Sequence, residues 1–120
     1  MNAPAPPLRL PRKRRLQNGR DFERARAQGR RLAVGCLVLN WVEPLGEQTR
    51  VGVITSKKIG GAVARARARR LLREVFRLNQ HRIVRAVDLV LVARQSIVEK
   101  QFAGVEGDFV MALQRAGLLK

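Results

Sequence analysis

Acidic side chains are scarce in this chain: nine Asp and Glu stand against 25 Lys and Arg, leaving a net charge of +16 over 120 residues. There is no tyrosine, and tryptophan, histidine and cysteine occur once each. Each shortage excludes something. The lone Cys36 has no internal disulfide partner, and its apolar neighbours mark it as a small buried hydrophobe. The single histidine, His81, stands beside Arg82 in an irregular stretch and reads as a surface residue. The closest-spaced acids, Glu106 and Asp108 among them, stand at positions i and i+2, which diverge on a helix, so no pair is placed for metal or acid–base chemistry. An independent nuclease fails on this inventory. With 4% aromatics the chain also lacks the aromatic pair of an RRM. No apolar run approaches the roughly 18 residues of a membrane span. The opening Met1-Asn2-Ala3-Pro4-Ala5-Pro6-Pro7 has no apolar signal-peptide core. The expected setting is a reducing cytoplasm, with no membrane and no obligate protein partner.

What is present is a packed, basic globule. Apolar residues make up 46% of the chain, enough for one core at this length. We expect a Pro-rich tail over 1–11 and a single RNA-binding domain over 12–120. The basic residues are 20 Arg against 5 Lys. A guanidinium forks onto phosphate oxygens and stacks on bases, whereas an ammonium is a hydrated point charge, so the bias favours nucleic acid over an anionic membrane. RNA is preferred to duplex DNA because no helix-turn-helix companion or dimer seam accompanies the basic helix.

Asn18-Gly19-Arg20-Asp21 opens a short helix, with Asn as cap and Asp in the positive first turn, ending near Gln28 before Gly29. Phe22 and Ala25 face one way, and Arg20, Arg24 and Arg26 form a cationic side. Residues 32–42 read as one apolar strand and 50–56 as a second, joined as a hairpin across turn residues 43–48. A helix follows over about 62–79. Residues 81–86 are ambiguous, and Asp88 to Arg94 form an apolar, central strand. Ser96 and Glu99 form a capping box for a last helix reaching Ala116, with Phe102, Val105, Phe109 and Leu113 along its core stripe. The element order is that of an α+β layer of helices on a small sheet.

The 62–79 helix carries the functional signal. At about 100° per residue, Ala64, Ala68, Leu71, Leu72, Val75 and Phe76 gather on one side. Arg65, Arg67, Arg69, Arg70, Arg73 and Arg77 take the other, with Glu74 alone at the edge. Like charges recur at i,i+4 in 65/69, 69/73 and 73/77, which costs helix stability. A merely solvated face would mix signs. Binding phosphates relieves the repulsion and releases counterions. Lys57-Lys58-Ile59-Gly60-Gly61, just ahead of the helix's positive end, is a natural phosphate seat but no Walker motif. Phe22 and Trp41 are the aromatics near the sheet, each a core residue or a stacking platform for an unpaired base.

Arg50-Val51-Gly52, then Ser56-Lys57-Lys58-Ile59-Gly60, then Ala62-Val63-x-Arg65-x-Arg67-x-Arg69-Arg70-Leu71-Leu72-Arg73-Glu74 resembles the bacterial ribonuclease P protein component family. The likeness runs over roughly 12–116 and includes Arg15-Leu16, Phe22 and the 88–94 strand. It implies an α/β sandwich on a small, mostly antiparallel sheet, in αβββαβα order. It also implies a left-handed βαβ crossover through the Arg helix, an exception to a strong rule. It implies a catalytic RNA subunit held by Lys57, Lys58, Arg65, Arg67, Arg69, Arg70 and Arg73. A cleft for the single-stranded 5′ leader of precursor tRNA is implied at Arg15, Phe22, Arg26, Asn40 and Arg69. Cleavage would be by the RNA with Mg²⁺, and no residue of this chain would be catalytic or bind metal. The chain departs from the family pattern at Ala66, where Asn is usual, and at Gly61, where a polar residue is common. Arg26 and Asn40 replace frequent aromatics, shifting the cleft from stacking toward charge. A ribosomal or general RNA-binding protein would share the charge and fold. The Ser-Lys-Lys-Ile-Gly segment joined to an Arg-rich helix separates the two.

Overall fold

A computed structural model describes residues 10–16 and 18–120. The tail expected over 1–11 therefore lies, up to residue 9, outside the described residues. Three helices and four strands follow in the order α1 (Gly19–Gln28), β1 (Arg30–Val34), β2 (Leu37–Val42), β3 (Arg50–Ile54), α2 (Ala62–Asn79), β4 (Asp88–Ala93) and α3 (Phe102–Ala116). Short 3-10 turns occupy Arg12–Arg14, Lys57–Ile59, Gln80–Arg82 and Gln95–Glu99. The sheet order is β1-β2-β4-β3. β1/β2 and β2/β4 are antiparallel, and β3/β4 are parallel with α2 as their crossover. This is the expected α+β class and αβββαβα order.

Two local expectations are corrected. The run 32–42 is two strands, because Gly35 and Cys36 turn the chain so that Val34 pairs with Leu37. Gly35 adopts φ 54°, and a Cβ there would sit 2.2 Å from the Asp108 carboxylate, so only glycine fits. The hairpin is thus β1–β2. The expected pairing of the 32–42 and 50–56 strands does not form, because β4 comes between them. The Ser96–Glu99 capping box opens no α-helix. Gln95–Glu99 is a 3-10 turn anchored by fully buried Ile97, and α3 starts afresh at Phe102 after extended Gln101.

Strand side chains alternate between two faces. Leu37, Leu39, Trp41, Val51, Leu89, Leu91 and Ala93 face α2 and α3, which contribute Leu72, Val75, Phe76, Val105, Phe109 and Leu113. Burying each of the large members is worth about 1.5–3 kcal/mol. Trp41 belongs to this core, leaving Phe22 as the aromatic beside the opposite face. There α1 and the segment before it cover only part of the sheet, packing Ala25 and Leu16 on Val42 and Val90, with Phe22, Ile54 and Val92 half-buried around them. Cross-strand partners share a face, so Arg31, Asn40, Val90 and Gly52 form one row and Ala33, Val38, Val92 and Ile54 the next. Gly52 is needed because a Cβ would lie 2.6 Å from the Phe22 ring.

Candidate nucleic-acid interface

The observed bounds of α2 match the expected 62–79. Its inner face is buried through Ala68, Leu72, Val75 and Phe76, which turns the arginines outward. Arg70 and Arg73 are exposed, while Arg65, Arg67 and Arg69 are half-buried along their stems. The helix carries no acid in its first turn, and no side chain caps its end at Gly61. Its first-turn N–H groups and the exposed Lys57 and Lys58 thus make one electropositive end.

The guanidiniums do not all behave alike. Arg67 turns away from the stripe, donating to the Ile97 carbonyl at 3.3 Å and the Lys100 carbonyl at 2.5 Å. Arg77 pairs with Glu74, which holds that carboxyl below its ordinary value. Arg69 donates to Thr55 Oγ1 at 3.0 Å, which aims it across the β3 end toward Phe22. Among the described residues, the ion pairs engage Arg24, Arg50, Arg77, Arg85 and Lys100. Arg15, Arg26, Arg65, Arg69, Arg70, Arg73, Lys57 and Lys58 have no carboxylate partner among these. None of the cations expected at RNA is held in these ion pairs, and Arg67 among them is turned to backbone carbonyls instead.

The residues expected in one leader cleft occupy three adjoining concavities. Arg26 and Asn40 line the first, about 500 Å³, with Arg31 at its rim and Val38 and Val92 as apolar floor. Phe22 and Arg69 line the second, about 390 Å³, with Val53, Ile54 and Thr55. Arg15 lies in the third, about 410 Å³, with Arg12, Leu16 and Arg73. Arg31 and Thr55 escaped the sequence reading. Arg31 is set opposite Asn40 by the β1–β2 register, which a single strand over 32–42 concealed.

Arg24, expected on a cationic side of α1, is instead structural. It pairs with Asp88 and donates to the Glu43 carbonyl at 2.7 Å. Asp88 is fully buried and also receives Arg50, which reaches Asp21 at 3.3 Å. These bonds clamp α1 to the sheet and fix one wall of the clefts. Asp108 accepts the Cys36 backbone N–H at 2.9 Å and lies 3.6 Å from Lys100 Nζ. No three His, Cys, Asp or Glu residues converge to hold a metal among the described residues. The buried Asp21 and Asp88 are taken by guanidiniums, so this donor set does not fit Mg²⁺.

A sheet face half-covered by one helix, bordered by a guanidinium stripe whose one acid, Glu74, is taken by Arg77, defines a small RNA-binding protein. A family model described as ribonuclease P matches residues 10–117. A ribonuclease P protein component of Syntrophomonas wolfei subsp. wolfei is 38% identical over 109 residues, covering 91% of this chain and 92% of that protein. The Staphylococcus aureus RNase P protein superposes with TM-score 0.81 at 26% identity, covering 89% of this chain and 98% of that one. The Thermotoga maritima RNase P protein gives 0.76 at 28% identity, covering 84% and 96%. The chain belongs to the ribonuclease P protein family. It is a subunit of the endoribonuclease that processes tRNA 5′ ends, and RNA is its partner.

Proposed function

We propose that this chain binds the catalytic RNA subunit through α2 and the 3-10 turn before it, and the single-stranded 5′ leader of precursor tRNA across the open sheet face. Arg65, Arg69, Arg70 and Arg73, with Lys57 and Lys58, meet the RNA subunit's phosphates. Arg26, Asn40, Phe22 and Arg69, with Arg15 beyond them, face the leader. One observation carries the reading. Among the described residues, the ion pairs engage Arg24, Arg50, Arg77, Arg85 and Lys100, and none of them engages a guanidinium of these two surfaces. The leader surface suits a flexible strand because it is an open trough with an apolar floor and cationic rims. Arg26 and Asn40 leave only Phe22 for stacking, so charge and hydrogen bonding do most of the holding.

Mg²⁺ belongs to the RNA subunit in this proposal, since the buried carboxylates here, Asp21 and Asp88, are taken by guanidiniums. The chain's role is to hold and align, with no side chain touching the scissile bond. Cytoplasmic residence follows from the substrate. Among the described residues, no helix is long and apolar enough to cross a membrane. The test is precursor-tRNA cleavage by the cognate RNA at low Mg²⁺, with and without the protein. A lowered Mg²⁺ requirement is expected. No change would return the chain to a general RNA-binding role.

A further inference from the structure

Three guanidiniums meet beside the outer edge of β3. Arg12 and Arg15 come from the segment before α1, Arg73 comes from α2, and Leu16 forms the floor of a concavity of about 410 Å³. Backbone bonding brings them there. Arg15 bridges Val51 in parallel register, the Leu16 N–H donates to the Val51 carbonyl at 2.8 Å, and Arg14 Nε donates to the Thr49 carbonyl at 2.7 Å. Neither Arg15 nor Arg73 is engaged by the ion pairs among the described residues.

Arg15 Nε is buried and has no hydrogen-bond partner. An unmet buried donor costs about 1–3 kcal/mol, more when charged. Desolvation, and then the like charges of Arg15 and Arg69, push the Arg73 guanidinium below its ordinary value. No carboxylate lines the concavity. Cations gathered this way on a fixed backbone are complementary to a compact anion. The lining holds no aromatic to stack a base. Two guanidiniums converging from different elements match the tetrahedral oxygens of a phosphate, which accepts forked bonds.

We propose that this concavity is a seat for one phosphate group of an RNA backbone, clamped between Arg15 and Arg73 with Arg12 at the rim. Its location joins the two proposed RNA surfaces, since Arg73 closes the α2 stripe and Arg15 lies at the end of the leader trough. The phosphate chemistry stands on the concavity alone. Its source in RNA rests on the proposed function.

The probe is inorganic phosphate, titrated into the full-length ¹⁵N-labelled chain against chloride at matched ionic strength, with the guanidinium Nε resonances followed. The Arg15 and Arg73 signals should shift saturably, and that of Arg30, on the far edge of the sheet, should not. Uniform shifts across all arginines, or none beyond chloride, would overturn the seat. Arg15→Gln should weaken phosphate binding at least tenfold and lower the salt slope of RNA binding by roughly 0.7–0.9, one phosphate's share. Arg73→Gln, on an exposed helix face, should do the same if Arg15→Gln does not fold. An unchanged slope in a folded variant overturns the RNA source. A wild-type chain with saturable Nε shifts that fails to assist precursor-tRNA cleavage would sink the function reading and leave the phosphate seat intact.

Discussion

Arg50 forks onto Asp88, with Nε 3.1 Å from Oδ1 and Nη2 2.7 Å from Oδ2. Because Arg24 of α1 holds the same carboxylate, one buried acid in β4 fastens the helix to the sheet. The hydrogen-bonded Asp88 carboxylate raises the pKa of Arg50 above its ordinary value, against the opposing effect of desolvation.

Asp88→Ala strips the part-buried Arg24 of its carboxylate and leaves Arg50 only the longer contact to Asp21 at 3.3 Å. Removing one partner of a buried pair costs about 3–5 kcal/mol. Urea unfolding should show that loss. Leader binding should fall further than RNA-subunit binding, because α1 forms one wall of the trough and α2 does not depend on it.

Arg67 and Arg65 separate structure from binding. Arg67→Ala removes two charge-assisted bonds to the turn before α3, each worth about 1.5–3 kcal/mol at most. It should lower the urea midpoint and leave the salt slope of RNA binding unchanged. Arg65→Ala should do the reverse, holding stability while flattening the slope by about one phosphate's worth, roughly 0.7–0.9. Equal slope losses in both variants would place Arg67 at the RNA.

Gly52→Ala drives a Cβ to 2.6 Å from the Phe22 ring. Overpacking of this kind costs about 1–3 kcal/mol, and the ring is the softer partner. The expected outcome is a modest loss of thermal stability with a displaced Phe22, read as a drop in leader affinity at unchanged affinity for the RNA subunit.

Cys36 and Asp108 set opposite pH limits. Burial, then the hydrogen bond and charge of Asp108, pushes the Cys36 thiol up from 9.0 to about 12. The folded state therefore holds the thiol proton more tightly, and stability falls as pH rises from about 9 toward 12. Desolvation pushes Asp108 up, but the Cys36 backbone N–H and thiol together with Lys100 hold it below its ordinary 3.8. That contribution is present above 3.8 and is lost as pH falls through the lower folded value. Asp108→Asn should flatten the acid limb of a stability–pH curve. Folded Cys36 should resist alkylation at pH 8.

Local pattern made α2 legible almost to the residue, because an apolar stripe, an opposing Arg stripe and the Gly60-Gly61 break all coincide. α1 was equally clear from the Asn18 cap, whose side chain accepts the Asp21 N–H at 3.0 Å. The β1–β2 turn was hidden inside a continuous apolar run, with Gly35 its only mark. The placement of β4 between β2 and β3 depends on pairing with residues far along the chain, which local sequence does not encode. Ser96 and Glu99 satisfied a helix-start pattern, yet the buried Ile97 tied that segment into a tighter turn. Of the interface, the charge and its side of α2 were readable. The diversion of Arg24 to an acid 64 positions away and of Arg67 to backbone carbonyls was not, since both depend on tertiary neighbours.

The two borders of the sheet differ in how they are closed. Beside β3, the Arg15–Leu16 segment bonds to Val51. β1 is the other border, and it presents exposed Arg30 and Arg31. Strand-to-strand docking of two copies along β1 would set four guanidiniums side by side, a juxtaposition that lysine- and arginine-bearing edges commonly prevent. The charge that recruits RNA thus also keeps these molecules from zipping into fibres of their own.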